Sequence, residues 1–413
     1  MRYELRPPSE LKATIGLPAS KSISNRVLVM NALAANPAVL ENLSDCDDTR
    51  VTVRALADRP DRVDIGAAGT AMRFLTAFFA VTPGTHVLTG TERMKKRPIG
   101  ILVDALRSLG ADVSYEAEPG FPPLSVRGGT YTQDEVTLSG DVSSQYISAL
   151  LMTSPVAPRG LTVRLKGHVV SRPYINMTLE LMRSFGASVR WEDDHSIRVE
   201  PTGYEAVPFR VENDWSAASY WYEMVALSDD EGACVTLPGL DADSCQGDAR
   251  IREFFVPLGV ETRFTDGGVV LRKGGAGGGT VVLDLLEQPD LAQTLVVACA
   301  LLERPFHFYG LQSLKIKETD RIAALRAEMR KLGFLIQEAN DAELYWDGGR
   351  CEPDVQPLIR TYEDHRMAMA FAPACFRFPG LRVDDVHVVS KSYPRYWGDL
   401  EACGFQLQTV PSL

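Results

Sequence analysis

Positive charge in this sequence gathers in short polar clusters, although the chain as a whole carries a formal charge of −11. The clusters are SKSISNR (20–26), RMKKRP (93–98), KIKETDR (315–321), DHR (364–366) and SKSYPR (390–395). Basic pockets on an acidic protein favour small anionic ligands held in a cleft. Solvated surface charge is the alternative for any one of them. The overall acidity argues against general nucleic-acid binding, which needs a basic surface.

The cluster SKSISNR stands at the start of an apolar run. Ser20 is suited to cap a helix there, which places Lys21 in the first turn. A cation in that turn meets the positive end of the helix dipole and is unfavourable unless an anion lies beside it. We therefore predict a site for carboxylate or phosphate, with Lys21 unfavourable in the empty protein. The spacing is not that of a phosphate-binding GxxxxGK[ST] loop.

Other helix starts carry similar groups. Ser143, Ser144 and Gln145 precede one apolar run, Ser171 precedes another, and adjacent hydroxyls at a helix start suit phosphate oxygens. Asp290 precedes a third apolar run, where ordinary helix capping is the alternative. The sequence contains neither a His–Glu zinc motif nor a GxSxG nucleophile motif.

A repeated helix–glycine–strand pattern indicates which elements position these clusters. Five segments read as an amphipathic helix, a glycine and an alternating strand, at 101–117, 176–192, 250–266, 322–338 and 396–410. Their glycines are spaced by 71 to 76 residues, at Gly110, Gly186, Gly259, Gly333 and Gly404. Glycine just after a helix permits a tight turn into a strand. The pattern predicts repeated α/β subdomains, with a shortened first copy around 47–66.

Length and composition limit the remaining possibilities. The 413 residues predict two domains of about 200 residues each. The beginning MRYELRPPSE has no signal-peptide pattern, and no apolar run is long enough to span a membrane. Seven scattered cysteines without a CxxC pair fit reduced thiols in the cytoplasm.

Taken together, the motifs resemble those of the 5-enolpyruvylshikimate-3-phosphate (EPSP) synthase family. They stand in the family's order as LPASKSISNR, AGTAMR, RMKKRPIG, GDVSSQY, SRPYI, PDLAQT, KETDRI, DHRMAMAF and SKSYP. The resemblance implies a two-domain α/β fold, the inverted α/β barrel or α/β prism, built from βαβαββ units. It implies an N-terminal domain over 20–212, a C-terminal domain from 1–19 and 213–413, and an active site in the cleft between them.

The resemblance also implies an activity. The 5-hydroxyl of shikimate 3-phosphate attacks C2 of phosphoenolpyruvate, and the tetrahedral intermediate then loses phosphate. The family uses no cofactor and no metal, so the expected partners are these two substrates alone, without nucleic acid or membrane. A cytoplasmic monomer is expected.

Roles follow for the motif residues. Asp290 corresponds to the base for the 5-hydroxyl, Glu318 to the acid for the methylene carbon, and Lys21 to a catalytic contact to both substrates. Contacts to shikimate 3-phosphate are implied for Lys21, Ser22, Arg26, Ser143, Ser144, Gln145, Ser171, Asp290 and Lys317. Contacts to phosphoenolpyruvate are implied for Lys21, Gly69, Arg97, Gln145, Arg321, Arg366 and Lys391.

The chain departs from the family pattern at a few positions. Ala67 stands where the family more often has Asn, and Phe74 where it more often has Pro, which leaves phosphoenolpyruvate affinity and glyphosate sensitivity open. Ser313 replaces an Asn found in some members. Two alternatives stay open: transfer to another acceptor such as a UDP-amino sugar, and a non-catalytic anion-binding protein.

Overall fold

The chain passes twice between two units in the computed structural model, which describes residues 1–411. Met1–Pro18 together with Glu212–Leu413 form one of them, called the terminal unit below. Ala19–Val211 form the other, called the inner unit.

The elements are numbered in chain order. The helices are α1 (Lys21–Leu33), α2 (Asp47–Asp58), α3 (Gly69–Val81), α4 (Gly100–Ser108), α5 (Ser144–Thr153), α6 (Arg172–Ser184), α7 (Trp215–Leu227), α8 (Ile251–Phe254), α9 (Ala292–Leu301), α10 (Arg321–Lys331), α11 (His365–Phe371) and α12 (Tyr396–Ala402). The strands are β1 (Arg2–Arg6), β2 (Lys12–Thr14), β3 (Leu40–Glu41), β4 (Arg62–Asp64), β5 (Thr85–Thr89), β6 (Asp112–Tyr115), β7 (Leu124–Arg127), β8 (Glu135–Ser139), β9 (Leu161–Lys166), β10 (Val189–Asp193), β11 (Ser196–Val199), β12 (Phe209–Arg210), β13 (Cys234–Pro238), β14 (Val260–Thr265), β15 (Gly268–Lys273), β16 (Val281–Asp284), β17 (Phe306–Tyr309), β18 (Gln337–Ala339), β19 (Glu343–Trp346), β20 (Leu358–Ile359), β21 (Leu381–Val383) and β22 (Gln406–Val410).

Five four-stranded sheets share one pattern. In the sheet β4-β5-β7-β6, the first two strands are parallel, and the other neighbours are antiparallel. Helix α3 connects β4 to β5 and α4 connects β5 to β6, which makes a βαβαββ unit. The same order recurs in β8-β9-β11-β10, β16-β17-β19-β18, β2-β13-β15-β14 and β20-β21-β1-β22. The mixed α/β fold expected from the motifs is therefore confirmed.

The first copy of the repeat is short, as its sequence predicted. Its sheet consists of β3 and β12 alone, paired in parallel through two residues each. After α2 the chain enters β4, which belongs to the next sheet.

The five repeat glycines turn the chain from helix to strand. Each has a left-handed φ, between 78° and 92°. Such φ values favour glycine, which explains why the residue recurs at this place in these five copies. The copy at 250–266 corrects one expectation, since its helix is broken into α8 and a 3-10 turn at Val256–Leu258. Pro257 lacks the N–H that a continuous helix needs there.

The helices that carry the polar clusters are also central to the core of each unit. In the inner unit α3 packs against α1 and α5, and its residues from Gly69 to Ala80 are buried. In the terminal unit α7, α9 and α11 pack together, and all of α9 is buried. A helix that is apolar on all sides is stable only in such a place. Among residues 1–411, no helix is long and apolar enough to cross a membrane.

Candidate active site

Lys21 opens α1 in the inner unit. Ser20 caps this helix as predicted, with its Oγ accepting a hydrogen bond from the Ile23 amide at 3.4 Å. The Lys21 ammonium lies 3.7 Å from Oδ2 of Asp48, on α2. The expectation that Lys21 lacks an anion in the empty protein is therefore wrong, because a buried carboxylate of the protein itself offsets the helix dipole.

Arg26 is held one turn further along α1, and only 2% of its surface is exposed. Its Nε donates to Thr178 Oγ1 at 2.7 Å, and one Nη donates to Ser148 Oγ at 3.3 Å. The other Nη donates to the Ser22 carbonyl at 2.8 Å. The guanidinium also lies 5.3 Å from the centre of the Phe74 ring, within cation–π range. Helices α1, α3, α5 and α6 together fix this cation.

The predicted hydroxyl cluster lies at the starts of α5 and α6. Ser143 caps α5, and its Oγ accepts from the Gln145 amide at 3.4 Å. Ser144 begins the helix, and the Gln145 side chain donates to Thr70 Oγ1 at 3.2 Å. Ser171 has a left-handed φ of 53°, which costs about 1 kcal/mol for a non-glycine residue. Its hydroxyl does not cap α6, so capping does not explain it.

Gly69 is the point at which two guanidinium groups converge. A Cβ built on Gly69 would lie 2.5 Å from Nη1 of Arg73 and 2.5 Å from Nη1 of Arg97. Arg73 also donates to the Gly69 carbonyl at 2.7 Å. The glycine therefore leaves room for two guanidinium groups that can bind the same anionic group. Of the residues that depart from the family pattern, Ala67 is exposed, Ser313 is half-buried and Phe74 is buried beneath Arg26.

Asp290 is the centre of a charged cluster in the terminal unit. It lies in a short 3-10 turn before α9 and does not cap that helix, so the capping alternative is wrong. Its carboxylate is 2.8 Å from Arg366, 3.1 Å from Arg321 and 3.6 Å from Lys317. Burial alone would raise the pKa of Asp290, but these three cations outweigh it and hold the pKa well below its usual value.

Arg321 connects Asp290 to Glu318. Arg321 begins α10, which Asp320 caps by accepting from the Ala323 amide at 3.0 Å. Its guanidinium contacts Glu318 at 3.0 Å and Asp364 at 2.7 Å. Burial alone would lower the pKa of Arg321, but the surrounding carboxylates raise it, so the group stays charged although only 1% of the residue is exposed.

Lys391 and Arg366 complete this cluster. Lys391 ends a 3-10 helix, and its ammonium lies 2.9 Å from Glu318. Arg366 lies in the first turn of α11, where its amide donates to Asp364 Oδ1 at 2.9 Å and its guanidinium donates to the Tyr220 hydroxyl at 3.4 Å. Four predicted cations thus surround two predicted carboxylates. Such a group can collect anions and move protons between neighbouring oxygens.

Sequence reasoning missed several partners. Asp364 stood within the quoted DHR cluster, in the N-cap position that predicts a buried acceptor. Nothing in the sequence around Asp248 indicates that it belongs to the site. Its carboxylate accepts a hydrogen bond from Ser216. Burial, together with the nearby charge of Asp290, raises the pKa of Asp248 to about 6. Within residues 1–411, no group of three or more His, Cys, Asp or Glu side chains is arranged to hold a metal ion.

Comparison with known proteins gives one consistent result. A family model described as EPSP synthase (3-phosphoshikimate 1-carboxyvinyltransferase) matches residues 5–59 and 55–400. A curated protein of Bacteroides fragilis strain YCH46, named 3-phosphoshikimate 1-carboxyvinyltransferase, is 57% identical over 408 residues, which is 99% of each chain. A protein of the same name from Shewanella piezotolerans is 35% identical and covers 97% of this chain and 99% of its own.

Solved structures share the fold. EPSP synthase from Acinetobacter baumannii superposes with a TM-score of 0.79 at 21% identity, over 99% of this chain and all of its own. An enolpyruvyl transferase from Streptomyces tendae gives a TM-score of 0.76 at 17% identity, over 99% of each chain.

Proposed function

Because the chain belongs to the EPSP synthase family, we propose that the residues described above transfer the enolpyruvyl group of phosphoenolpyruvate to the 5-hydroxyl of shikimate 3-phosphate and release phosphate. The observation that carries the proposal is the cluster around Arg321, in which a base and an acid of the expected kinds share one buried cation. The relatives' name, 3-phosphoshikimate 1-carboxyvinyltransferase, describes the same transfer.

The inner unit supplies most of the contacts to shikimate 3-phosphate. The hydroxyls at the starts of α5 and α6 bind its phosphate as neutral donors next to the positive ends of the helices. These hydroxyls belong to Ser143, Ser144 and Ser171. Lys21, Ser22 and Arg26 bind the rest of the molecule, and Gln145 contacts both substrates. The strained backbone of Ser171 supports a ligand role for its hydroxyl.

Phosphoenolpyruvate is bound by cations. Arg97 at Gly69 supplies contacts from the inner unit, together with Lys21. Arg321, Arg366 and Lys391 supply contacts from the terminal unit. Arginine forks suit carboxylate and phosphate because two parallel N–H groups meet two oxygens.

Asp290 takes the proton from the 5-hydroxyl, and Lys317 contacts the sugar-acid side. Asp290 is a weak base while Arg321, Arg366 and Lys317 stabilise its charge. The anionic groups of phosphoenolpyruvate compete for the same cations. Substrate binding thereby raises the basicity of Asp290 at the moment when a proton has to be accepted.

Glu318, once it has taken a proton from solvent, gives that proton to C3 while the 5-oxygen forms its bond to C2, and the electron pair of the C2–C3 double bond takes up the proton. Lys391 and Arg321, which hold Glu318 in the empty protein, then stabilise the tetrahedral intermediate's phosphate and carboxylate. In the second step the Glu318 carboxylate takes a proton back from C3, the double bond forms again, and the C2–O bond breaks with its electron pair leaving on phosphate. No step of this scheme uses a metal or an organic cofactor.

We further propose that the protein acts as a monomer in the cytoplasm, with these two small molecules as its partners and neither nucleic acid nor membrane. Among residues 1–411, no disulfide links any of the seven cysteines, which suits a reducing compartment. Every residue assigned to the two substrates belongs to one chain, so the proposed mechanism needs no second chain.

A panel of acceptors tests the assignment. Phosphate release from phosphoenolpyruvate is measured with shikimate 3-phosphate, with unphosphorylated shikimate and with a UDP-amino sugar. We expect rapid release with the first alone, because Ser143, Ser144 and Ser171 are there to hold its phosphate. Faster release with the UDP-amino sugar would reverse the assignment. Calorimetry that detects binding of both substrates without turnover would favour a non-catalytic protein.

A further inference from the structure

Tyr146 lies on the first turn of α5, directly after Ser144 and Gln145. Its hydroxyl donates to the carbonyl of Pro98 at 2.6 Å. Pro98 follows Arg97 directly, so this hydrogen bond fixes the backbone that carries the Arg97 side chain. Only 6% of Tyr146 is exposed, so the donor side of this bond is buried, while Pro98 on the acceptor side is exposed.

The ring of Tyr146 supports a second cation. The guanidinium of Arg73 lies 5.8 Å from the ring centre, within the range of a cation–π contact. Arg73 is one of the two arginines that converge at Gly69, and Arg97 is the other. One side chain thus contacts Arg73 directly and reaches Arg97 through the Pro98 carbonyl.

Gln145, which precedes Tyr146 in the chain, contacts the other segment at Gly69. The side-chain amide of Gln145 donates to Oγ1 of Thr70, which follows Gly69 at the start of α3. The first turn of α5 therefore contacts both segments that form the Gly69 site, namely the start of α3 and the turn before α4. A displacement of this turn would change the distance between the two guanidinium groups.

We propose that Tyr146 is a positioning residue for phosphoenolpyruvate, which sets the spacing of Arg73 and Arg97 around Gly69. The proposal rests on the proposed function, in which Gly69 and Arg97 bind that substrate. Tyr146 touches none of the reacting atoms in this account. Loss of the Tyr146 side chain therefore weakens the binding of phosphoenolpyruvate and leaves the rate of the chemical step unchanged.

Steady-state kinetics of Tyr146→Phe test this role. The variant keeps the ring and loses the bond to Pro98, so we expect KM for phosphoenolpyruvate to rise about 3- to 10-fold, the worth of one hydrogen bond. We expect kcat and KM for shikimate 3-phosphate to stay within about twofold of the wild type. Tyr146→Leu also removes the ring beneath Arg73 and should raise KM for phosphoenolpyruvate further.

Tyr204→Phe is the matched control. The Tyr204 hydroxyl donates to the Met152 carbonyl at 2.8 Å, near the other end of α5, and the residue is 8% exposed. Tyr204→Phe should lose about as much stability as Tyr146→Phe, without any change in KM for phosphoenolpyruvate. Equal values of this KM for Tyr146→Phe and the wild type, or equal changes in Tyr146→Phe and Tyr204→Phe, would overturn the proposal. A folded wild-type protein without transfer activity would instead overturn the proposed function, and the role of Tyr146 with it.

Discussion

Arg321 and Asp290 form an ion pair at 3.1 Å, and the same guanidinium contacts Glu318 at 3.0 Å. The proposed base and the proposed acid therefore share one buried cation. Any anion that attracts this guanidinium changes the charge environment of both carboxylates at once. In the proposed mechanism, this arrangement couples the binding of phosphoenolpyruvate to both proton transfers.

The two carboxylates should matter for turnover far more than for binding. We expect Asp290→Asn and Glu318→Gln each to lower kcat by about 10²- to 10⁴-fold, the usual effect of losing a general acid or base. Dissociation constants for shikimate 3-phosphate, measured by calorimetry, should change much less. Near-normal kcat in both variants would refute the roles given to them.

Asp320→Asn is the matched control for these variants. Asp320 lies two residues from Glu318 in the same motif and caps α10 through the Ala323 amide. Asn caps a helix about as well as Asp. The variant loses a negative charge of the same kind nearby and should keep kcat close to the wild-type value.

Lys21→Ala should abolish most activity and also lower stability. A lysine that is unfavourable in the empty protein would predict little effect on folding, but the variant removes a cation 3.7 Å from Asp48, whose side chain is 4% exposed. Weakening the pairing of a buried charge costs about 1–3 kcal/mol. Urea unfolding of Lys21→Ala and of Lys21→Ala with Asp48→Asn measures this cost. The second substitution should restore stability but not activity, and full stability of the single variant would contradict the pairing.

Glu223 should make the terminal unit less stable as the pH rises. It is fully buried on α7, neither carboxyl oxygen has a hydrogen-bond partner among the described residues, and burial raises its pKa well above the usual value. A raised folded-state pKa gives a contribution to stability that is present below the unfolded pKa, about 4.3, and is lost as the pH rises above it. The free energy of unfolding should therefore decrease between pH 5 and pH 8.

The substitution Glu223→Met checks that dependence, with Gln293→Met as its control. Gln293 is a buried side chain of α9 in the same core, and its amide atoms also have no hydrogen-bond partner among the described residues, but it does not titrate. Glu223→Met should stabilise the protein more at pH 8 than at pH 5, whereas Gln293→Met should stabilise it equally at both. The same pH dependence in the wild type and in Glu223→Met would exclude Glu223 as its source.

Phe74 should affect the affinity for shikimate 3-phosphate through Arg26, which lies over its ring. Phe74→Leu should raise KM for that substrate about 2- to 10-fold, within the range of a desolvated cation–π contact. Phe78→Leu is a close control, because Phe78 is equally buried on α3 and carries Arg59 over its ring at 5.5 Å. Both variants should lose stability. A rise in this KM for both, or for neither, would remove Phe74 from the account.

The repeated fold could be predicted because its signals are local. Gly110 and its four counterparts mark the end of a helix within a few residues, and their left-handed φ values confirm that interpretation. The cap formed by Ser20 is equally local. Pro257, by contrast, lies inside an apolar pattern typical of one helix, and the periodicity of that pattern does not indicate the break.

The partners of the site residues could not be predicted in the same way. Thr178 is 152 residues from Arg26 in the chain, and Tyr146 is 48 residues from Pro98. Nothing in the local sequence of either residue indicates which distant group it will contact. Residue types at helix starts predicted where anions could bind, while the contacts that hold those residues depend on how the helices pack.

Deuterium incorporation tests the central claim most directly. The wild-type protein is incubated in D₂O with shikimate 3-phosphate and phosphoenolpyruvate, and the product is analysed by NMR. Addition and elimination require C3 to gain a solvent proton and then to lose one of three, so we expect one phosphate released per enolpyruvyl group transferred and deuterium in the product's methylene group. Glu318→Gln should lose both the transfer and the label. No phosphate release by folded protein, or transfer without any deuterium in the methylene group, would contradict the account.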